Sequence, residues 1–356
     1  MASVRTTGGN ERVGITGSSL SSAINEPSAA VVALAAKLLR LQSRLSKHQQ
    51  DCMQLPEASE PGSRAPVDTP ADFDSLLSAV ASLDAEIRSS LANNDFYYEY
   101  QPIVCALSGT VKGYEALVRW RRRGRSVSPA FFLPIAEETR SIIAIQQQLL
   151  NNIAGVYAEL NPKMSIGINW SPTQLSETQA VTDFINRIDE LRIDPRRIVV
   201  EITEHTVTMD PGAAFASILR LKDQGFLVAL DDFGRGHCGL SYLRRLPIDQ
   251  IKIDGSLIRD LGESPRSALI LGAIVDLAHQ LGNEVVAEGV ETERQLSALR
   301  YAGCDFLQGH LIGYPSRHLI PDPGLAYGTN RSATNAGAAI ASCSLSYRHY
   351  AAARAI

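Results

Sequence analysis

The residues best equipped for chemistry stand at the ends of short apolar runs. Glu115 interrupts "VKGYEAL", Asn169 ends "SIGIN", and "IVVEITE" carries Glu201 and, three residues on, Glu204. Asp231 and Asp232 end "LVALDD", Lys252 and Asp254 alternate in "QIKID", Glu288 and Glu291 lie in "VVAEGVE", and Gln308 sits in "FLQG". One acidic residue at a strand terminus is ordinarily a helix N-cap or a solvated turn. A succession of them points elsewhere, because N-caps draw on Ser, Thr and Asn as readily as on Asp. Carboxylates brought together repel one another and are costly to desolvate. Divalent cations relieve both costs, and a set of oxygen ligands suits Mg²⁺ or Mn²⁺. Strand alternation puts Lys252 on the side of Gln250 and Asp254, away from Ile251 and Ile253. Among acids its ammonium is expected to be paired; beside a metal its pKa can fall far enough for proton transfer.

Such residues act together only if the fold brings the strand ends to one place. The runs that carry them are "FYYEYQPIV", "VKGYEALVRW", "MSIGINW", "RIVVEITE", "FLVALDDFG", "QIKID", "EVVAEGVE" and "CDFLQG", with helical patterns such as "SALILGAIVDLAHQLGN" between most of them. Strands alternating with helices argue for a (β/α)8 barrel, whose strand C-termini meet on one face; a doubly wound open sheet is the alternative that periodicity leaves open. Only the stretch from Cys105 to Val111, with its turn-prone "SGT", separates the first two strands. That is a hairpin connection, so one of the two is expected to run antiparallel to the rest.

The compact domain is expected at 73–318, entered through a helix from about Phe73 to Leu91. Residues 1–72 read as largely disordered, with a short Ala-rich helix at about 27–50, and 319–356 as a flexible tail. Hydrophobic residues make up 45% of the 356 and charged residues 20%, which is the composition of a soluble globular chain. A net charge of −4 offers no global field to recruit a nucleic acid polymer or anionic lipid. "AAVVALAAKLL" is too short to span a membrane, so no integral membrane segment is expected. Five scattered cysteines without a C-x-x-C pair suggest neither a disulfide framework nor a zinc cluster, and a cytoplasmic setting is the simplest expectation.

Taken together, "YQPIV", "EALVRW", "NWSPTQL", "EITE", "DDFG", "LSYLRRLPIDQIKID", "VVAEGVET" and "GCDFLQG", in this order from about Leu91 to Pro315, resemble the EAL domain family of bacterial cyclic-di-GMP phosphodiesterases. The resemblance implies an α/β, TIM-like (β/α)8 barrel of EAL type with one antiparallel strand, in agreement with the hairpin. It implies hydrolysis of cyclic-di-GMP to linear pGpG with two Mg²⁺ or Mn²⁺ ions, in a protein that forms a homodimer. Glu115, Asn169, Glu201 and Asp231 would bind the first ion. Asp231 would bridge to a second, held by Asp232 and by Glu288 or its neighbours, with Asp254 on an ion or its waters. Lys252 and Glu288 are the candidates for handling the water's proton. Arg119 is similar to the family's phosphate-binding arginine and Gln101 to a position near its guanine pocket. Gln308 and Glu291 would orient ligands or water, and Glu204 would support the loop after "DDFG".

That loop is where the chain departs from the family's usual "DDFGTGYSSL". It reads "DDFGRGHCGL", with Arg235, His237, Cys238 and Gly239 replacing small hydroxyl and aromatic residues. Gly255 after "KID" and "QGHLIGYP" in place of "QGYLFSRP" are smaller departures. The altered loop supports an alternative, a catalytically weak domain that acts as a cyclic-di-GMP receptor or a protein-interaction module.

Overall fold

The computed structural model describes residues 70–235, 243–261 and 264–319. The expected Ala-rich helix, the segments before 70 and after 319, and loop positions His237, Cys238 and Gly239 lie outside the described residues. The chain divides into two compact units, Met1–Asp84 and Ala85–Ile356. The described part of the first is helical, the opening of α1 (Pro70–Ala92).

Among the described residues, the second unit is built on nine strands: β1 (Phe96–Cys105), β2 (Val111–Arg122), β3 (Arg125–Val127), β4 (Ser165–Trp170), β5 (Ile198–Thr203), β6 (Leu227–Phe233), β7 (Gln250–Ile253), β8 (Glu284–Ala287) and β9 (Phe306–Leu307). Eight of them close a ring in the order β1-β2-β4-β5-β6-β7-β8-β9, with β9 pairing back onto β1. β1 is antiparallel to both neighbours and the other ring pairs are parallel. The barrel with one antiparallel strand is therefore as expected, and the open sheet is excluded.

The hairpin from β1 to β2 turns at Gly109, whose φ of +70° suits glycine and whose N–H donates to Cys105 O at 2.8 Å. β3 was not foreseen. It folds back on β2 through Arg123 and Gly124, both at positive φ (48° and 77°), as a tight hairpin turn requires. Arginine at the first of these positions gives none of the Asn-Gly or Asp-Gly signal that marks such turns.

The ring helices are α2 (Pro129–Glu138), α3 (Ser141–Tyr157), α4 (Pro172–Ser176), α5 (Thr178–Glu190), α6 (Glu204–Met209), α7 (Pro211–Asp223), α8 (Gly255–Ile258), α9 (Pro265–Gln280) and α10 (Glu293–Ala302). Four of them open on proline, where the missing N–H costs nothing and φ is already helical. Alternate strand residues such as Ile166, Ile168, Val200, Ile202, Val228, Leu230, Ile251 and Ile253 are buried, as are Leu149, Phe184 and Leu221 of the helices. Each such side chain contributes about 1.5–3 kcal/mol on burial. The intervening strand residues face the barrel interior. Among the described residues, no helix is long and apolar enough to cross a membrane.

Candidate active site

The interior polar residues come from two interleaved sets of strands. Glu115 (β2), Glu201 (β5), Lys252 (β7) and Gln308 (just past β9) stand on every second member of the ring; Gln101 (β1), Asn169 (β4), Asp231 (β6) and Glu288 (just past β8) stand on those between. This is the layering by which alternate strands fill a parallel barrel. Two local features make room for it. Gly167 lies beside Glu201, and a Cβ there would fall 2.1 Å from Glu201 Oε1. At the end of β6 the pairing with β7 slips, so that Asp231 and Asp232 together oppose Lys252 between the pairs Leu230–Ile251 and Phe233–Ile253. Asp232 takes the extra place in this bulge at φ +56°, a left-handed conformation that aspartate tolerates.

Lys252 is the hub. Its side chain is 1% exposed, and Nζ lies 2.7 Å from Glu288 Oε1, 2.8 Å from Glu201 Oε2, 3.1 Å from Glu115 Oε2 and 3.6 Å from Asp231 Oδ1. Burial pushes the lysine's pKa down, but the four carboxylates outweigh it and hold the group well above its ordinary value. The ammonium is thus paired, as expected. One cation cannot satisfy four acids. Burial and mutual repulsion raise Glu201 well above its ordinary value and raise Asp231 as well, and burial lifts Glu288 to about 8. Glu115 alone moves the other way. Burial would raise it, but Lys252 together with hydrogen bonds from Gln308 Nε2 (2.7 Å) and Asn169 Nδ2 (2.5 Å) lowers it.

This cluster opens on a cavity of about 250 Å³ lined by Gln101, Glu115, Asp231, Glu288, Gly289, Glu291, Gln308, Gly309 and His310. Lys252 and Glu201 lie beneath it, nearly fully buried and absent from its lining. Gln308 Nε2 also donates to Gln101 Oε1 at 3.1 Å, and Gln101 Nε2 to Gly313 O at 3.1 Å. Gln308 Oε1 is buried without a hydrogen-bond partner.

The remaining expected residues stand apart from the cluster. Asp254 caps α8, accepting from Ser256 N at 2.9 Å, and its other oxygen lies 3.3 Å from Arg235 Nε. Arg235 Nη1 also lies 3.3 Å from Asp232 Oδ1. Glu204 is buried and accepts from Gly234 N at 3.3 Å, beside the "DDFG" turn. Arg119 is held by Glu99, Nε to Oε2 at 2.8 Å, and does not line the cavity. Glu291 is an exposed rim residue, 3.9 Å from His310 Nδ1. His310 is the cavity residue that sequence reasoning missed. It stacks on Tyr314 with ring centroids 4.5 Å apart, and only the i, i+4 spacing in "QGHLIGYP" hinted at the pair.

The donor set fits divalent ions. It is all oxygen, it carries more carboxylates than its one ammonium can neutralise, and Gln308 Oε1 is an unmet buried acceptor beside it. Among the described residues, however, no three of His, Cys, Asp and Glu are grouped as a ready-made ion site. Lys252 holds the space between the acids.

A family model described as the EAL domain matches residues 84–315. The probable cyclic di-GMP phosphodiesterase PdeG of Escherichia coli is 34% identical over 252 residues, covering 69% of this chain and 50% of that protein. The cyclic di-GMP phosphodiesterase PA2567 of Pseudomonas aeruginosa is 35% identical over 224 residues, covering 62% of this chain and 38% of that one. Among solved structures, the PaMucR phosphodiesterase in complex with c-di-GMP is 34% identical with a TM-score of 0.62, covering 66% of this chain and 97% of that one. The chain spans 30–50% of the length of the first curated relatives it matches.

Proposed function

This chain belongs to the EAL domain family, and from that premise we propose that it hydrolyses one phosphodiester bond of cyclic-di-GMP to give linear pGpG. The observation that carries the reading is the buried lysine ringed by Glu115, Glu201, Asp231 and Glu288 beneath an open polar cavity. Relatives named as cyclic di-GMP phosphodiesterases, and a neighbour solved with c-di-GMP, support it.

Glu115, Asn169, Glu201 and Asp231 would hold one Mg²⁺ or Mn²⁺, and Asp231, Asp232 and Glu288 a second, with Asp254 nearby. Bound there, such ions lower the pKa of a water and neutralise phosphate oxygens. The chain's own residues do the rest. Lys252 holds Glu115, Asp231 and Glu288 in position from below and keeps part of their charge compensated. Glu288, lining the cavity with one oxygen 2.7 Å from Lys252 Nζ, is the carboxylate placed to accept a proton from a water in the cavity. Gln308 orients Glu115 and Gln101 through one amide nitrogen. Arg119 would reach a substrate phosphate only by exchanging its partner Glu99. We further propose a cytoplasmic homodimer; the buried thiol of Cys304 suits a reducing compartment.

A second reading, a receptor that binds cyclic-di-GMP without turnover, is favoured by one observation. Arg235 sets a cation against both Asp232 and Asp254, two of the proposed ion ligands. Incubation with cyclic-di-GMP and Mg²⁺ or Mn²⁺, followed by chromatography, separates the two. Appearance of pGpG that is lost in Glu115→Ala and on chelation supports hydrolysis. Saturable binding without product supports the receptor, and product that survives in Glu115→Ala would overturn the site assignment.

A further inference from the structure

A second cavity, of about 310 Å³, opens where the start of β1 meets the end of β2, and it shares no lining residue with the first. Backbone pairing fixes its wall, with Arg121 N donating to Asp95 O at 2.9 Å. Within it, two guanidiniums gather at one ring. The Cζ atoms of Arg121 and Arg317 lie 5.2 and 3.7 Å from the centroid of Tyr97. Both arginines are exposed, and among the described residues neither forms an ion pair with a carboxylate. The ring face attracts each cation, yet it does not cancel the repulsion between them. An anion would.

The other side of the cavity is walled by amide and carboxylate side chains. Gln148, on α3, donates its amide nitrogen to Leu91 O at 2.7 Å and to Asn94 Oδ1 at 2.6 Å. Its Oε1 is buried and accepts no hydrogen bond. Asp95, in the same lining, adds acceptors. The cavity thus gathers cations at one end and carries a carboxylate acceptor at the other, and its volume is at the lower end for small-molecule sites.

We propose that this cavity binds a small phosphate ester that also carries a hydroxyl or amino donor, the chemistry of a mononucleotide. The phosphate oxygens accept from the forks of Arg121 and Arg317, whose planar guanidiniums suit bidentate contact. The sugar or base donates to Asp95, in the same lining. This site stands independently of the hydrolytic reading, since none of its residues belongs to the Lys252 cluster.

Calorimetric titration of the full chain with GMP and, separately, with inorganic phosphate, both in the presence of chelator, tests the proposal. GMP is expected to bind at least about ten-fold tighter than phosphate, and to lose about ten-fold or more in Arg121→Gln and in Arg317→Gln, since each removes a charge-assisted hydrogen bond. Arg317→Lys, which keeps the charge and loses the fork, should fall between. Thermal melting of each variant checks folding, which substitutions at exposed positions should leave intact. Three results would overturn the site: no binding of GMP, equal affinity for inorganic phosphate (an adventitious ion only), or GMP affinity unchanged in both arginine-to-glutamine variants.

Discussion

Lys252 is buried to 1% and yet fully charged, because four carboxylates stand within 3.6 Å of its Nζ. Removing one partner of a buried ion pair leaves the others desolvated and unpaired, at a cost of about 3–5 kcal/mol. Lys252→Met matches the stem's length and deletes only the charge. It is expected to lower unfolding free energy by about that amount in a denaturant titration run with chelator. Part of the loss should return with Mg²⁺, as ions take over the neutralisation. A variant as stable as the parent under chelation would show that the Lys252 charge does not hold the cluster together. Gly167 bears on the same cluster from the side. With Cβ at 2.1 Å from Glu201 Oε1, Gly167→Ala must push Glu201 off Lys252, so turnover of cyclic-di-GMP should fall by about a hundred-fold or more, the scale of a displaced catalytic constellation. Parent-like rates would contradict the placement of Glu201.

The strand ends divide two kinds of work that look alike in sequence. Ser171, Asp254 and Thr292 follow β4, β7 and β8, Thr203 ends β5, and all four cap the helices behind them, whereas Glu115, Glu201, Asp231 and Glu288 turn into the barrel. Asp254 is the ambiguous member. Its cap on α8 predicts a loss of about 1 kcal/mol for Asp254→Ala and less for Asp254→Asn, which can still accept from Ser256 N. Equal losses in melting experiments would assign its worth to Arg235 instead. This ambiguity marks where the sequence stopped being readable. All eight ring strands, one antiparallel member among the first two and the inward side of Lys252 follow from apolar runs, a short hairpin connection and period-two alternation, which are local signals; that the member is β1 is read from the pairing. The bulge that sets Asp231 and Asp232 against Lys252 depends on a register slip between the neighbouring strands β6 and β7, which neither strand's own sequence shows. The turn into β3 hides behind Arg123, and His310 reaches the cavity through the loop after β9. Tertiary register decides each of these, and no single segment carries it.

For the whole molecule, the acid cluster makes stability depend on pH in an unusual direction. Most buried carboxylates are held low by partners, so proteins lose stability as pH falls. Here Glu201 and Asp231 are raised by burial and repulsion, and Glu288 is raised by burial to about 8. Between the ordinary carboxylate range and about pH 8 the folded barrel therefore binds more protons than the unfolded chain, and its stability must fall as pH rises. Glu115 and Asp254 run the other way, but their folded pKa values are lowered, so their contributions are already complete above the carboxylate range. Lys252, raised above its normal value, stays charged in both states throughout this window. The chelated protein is thus expected to melt at a lower temperature near pH 8 than near pH 6, each kcal/mol lost lowering the midpoint by about 2–4 °C for a domain of this size. Divalent ions reverse the trend, because they bind the deprotonated carboxylates of the folded state and displace the protons. Differential scanning calorimetry at the two pH values, with EDTA and then with excess Mg²⁺, should show the midpoint gap narrow or invert on adding the ion. If the chelated protein melts higher near pH 8, the excess of negative charge beneath the cavity is not what shapes its titration.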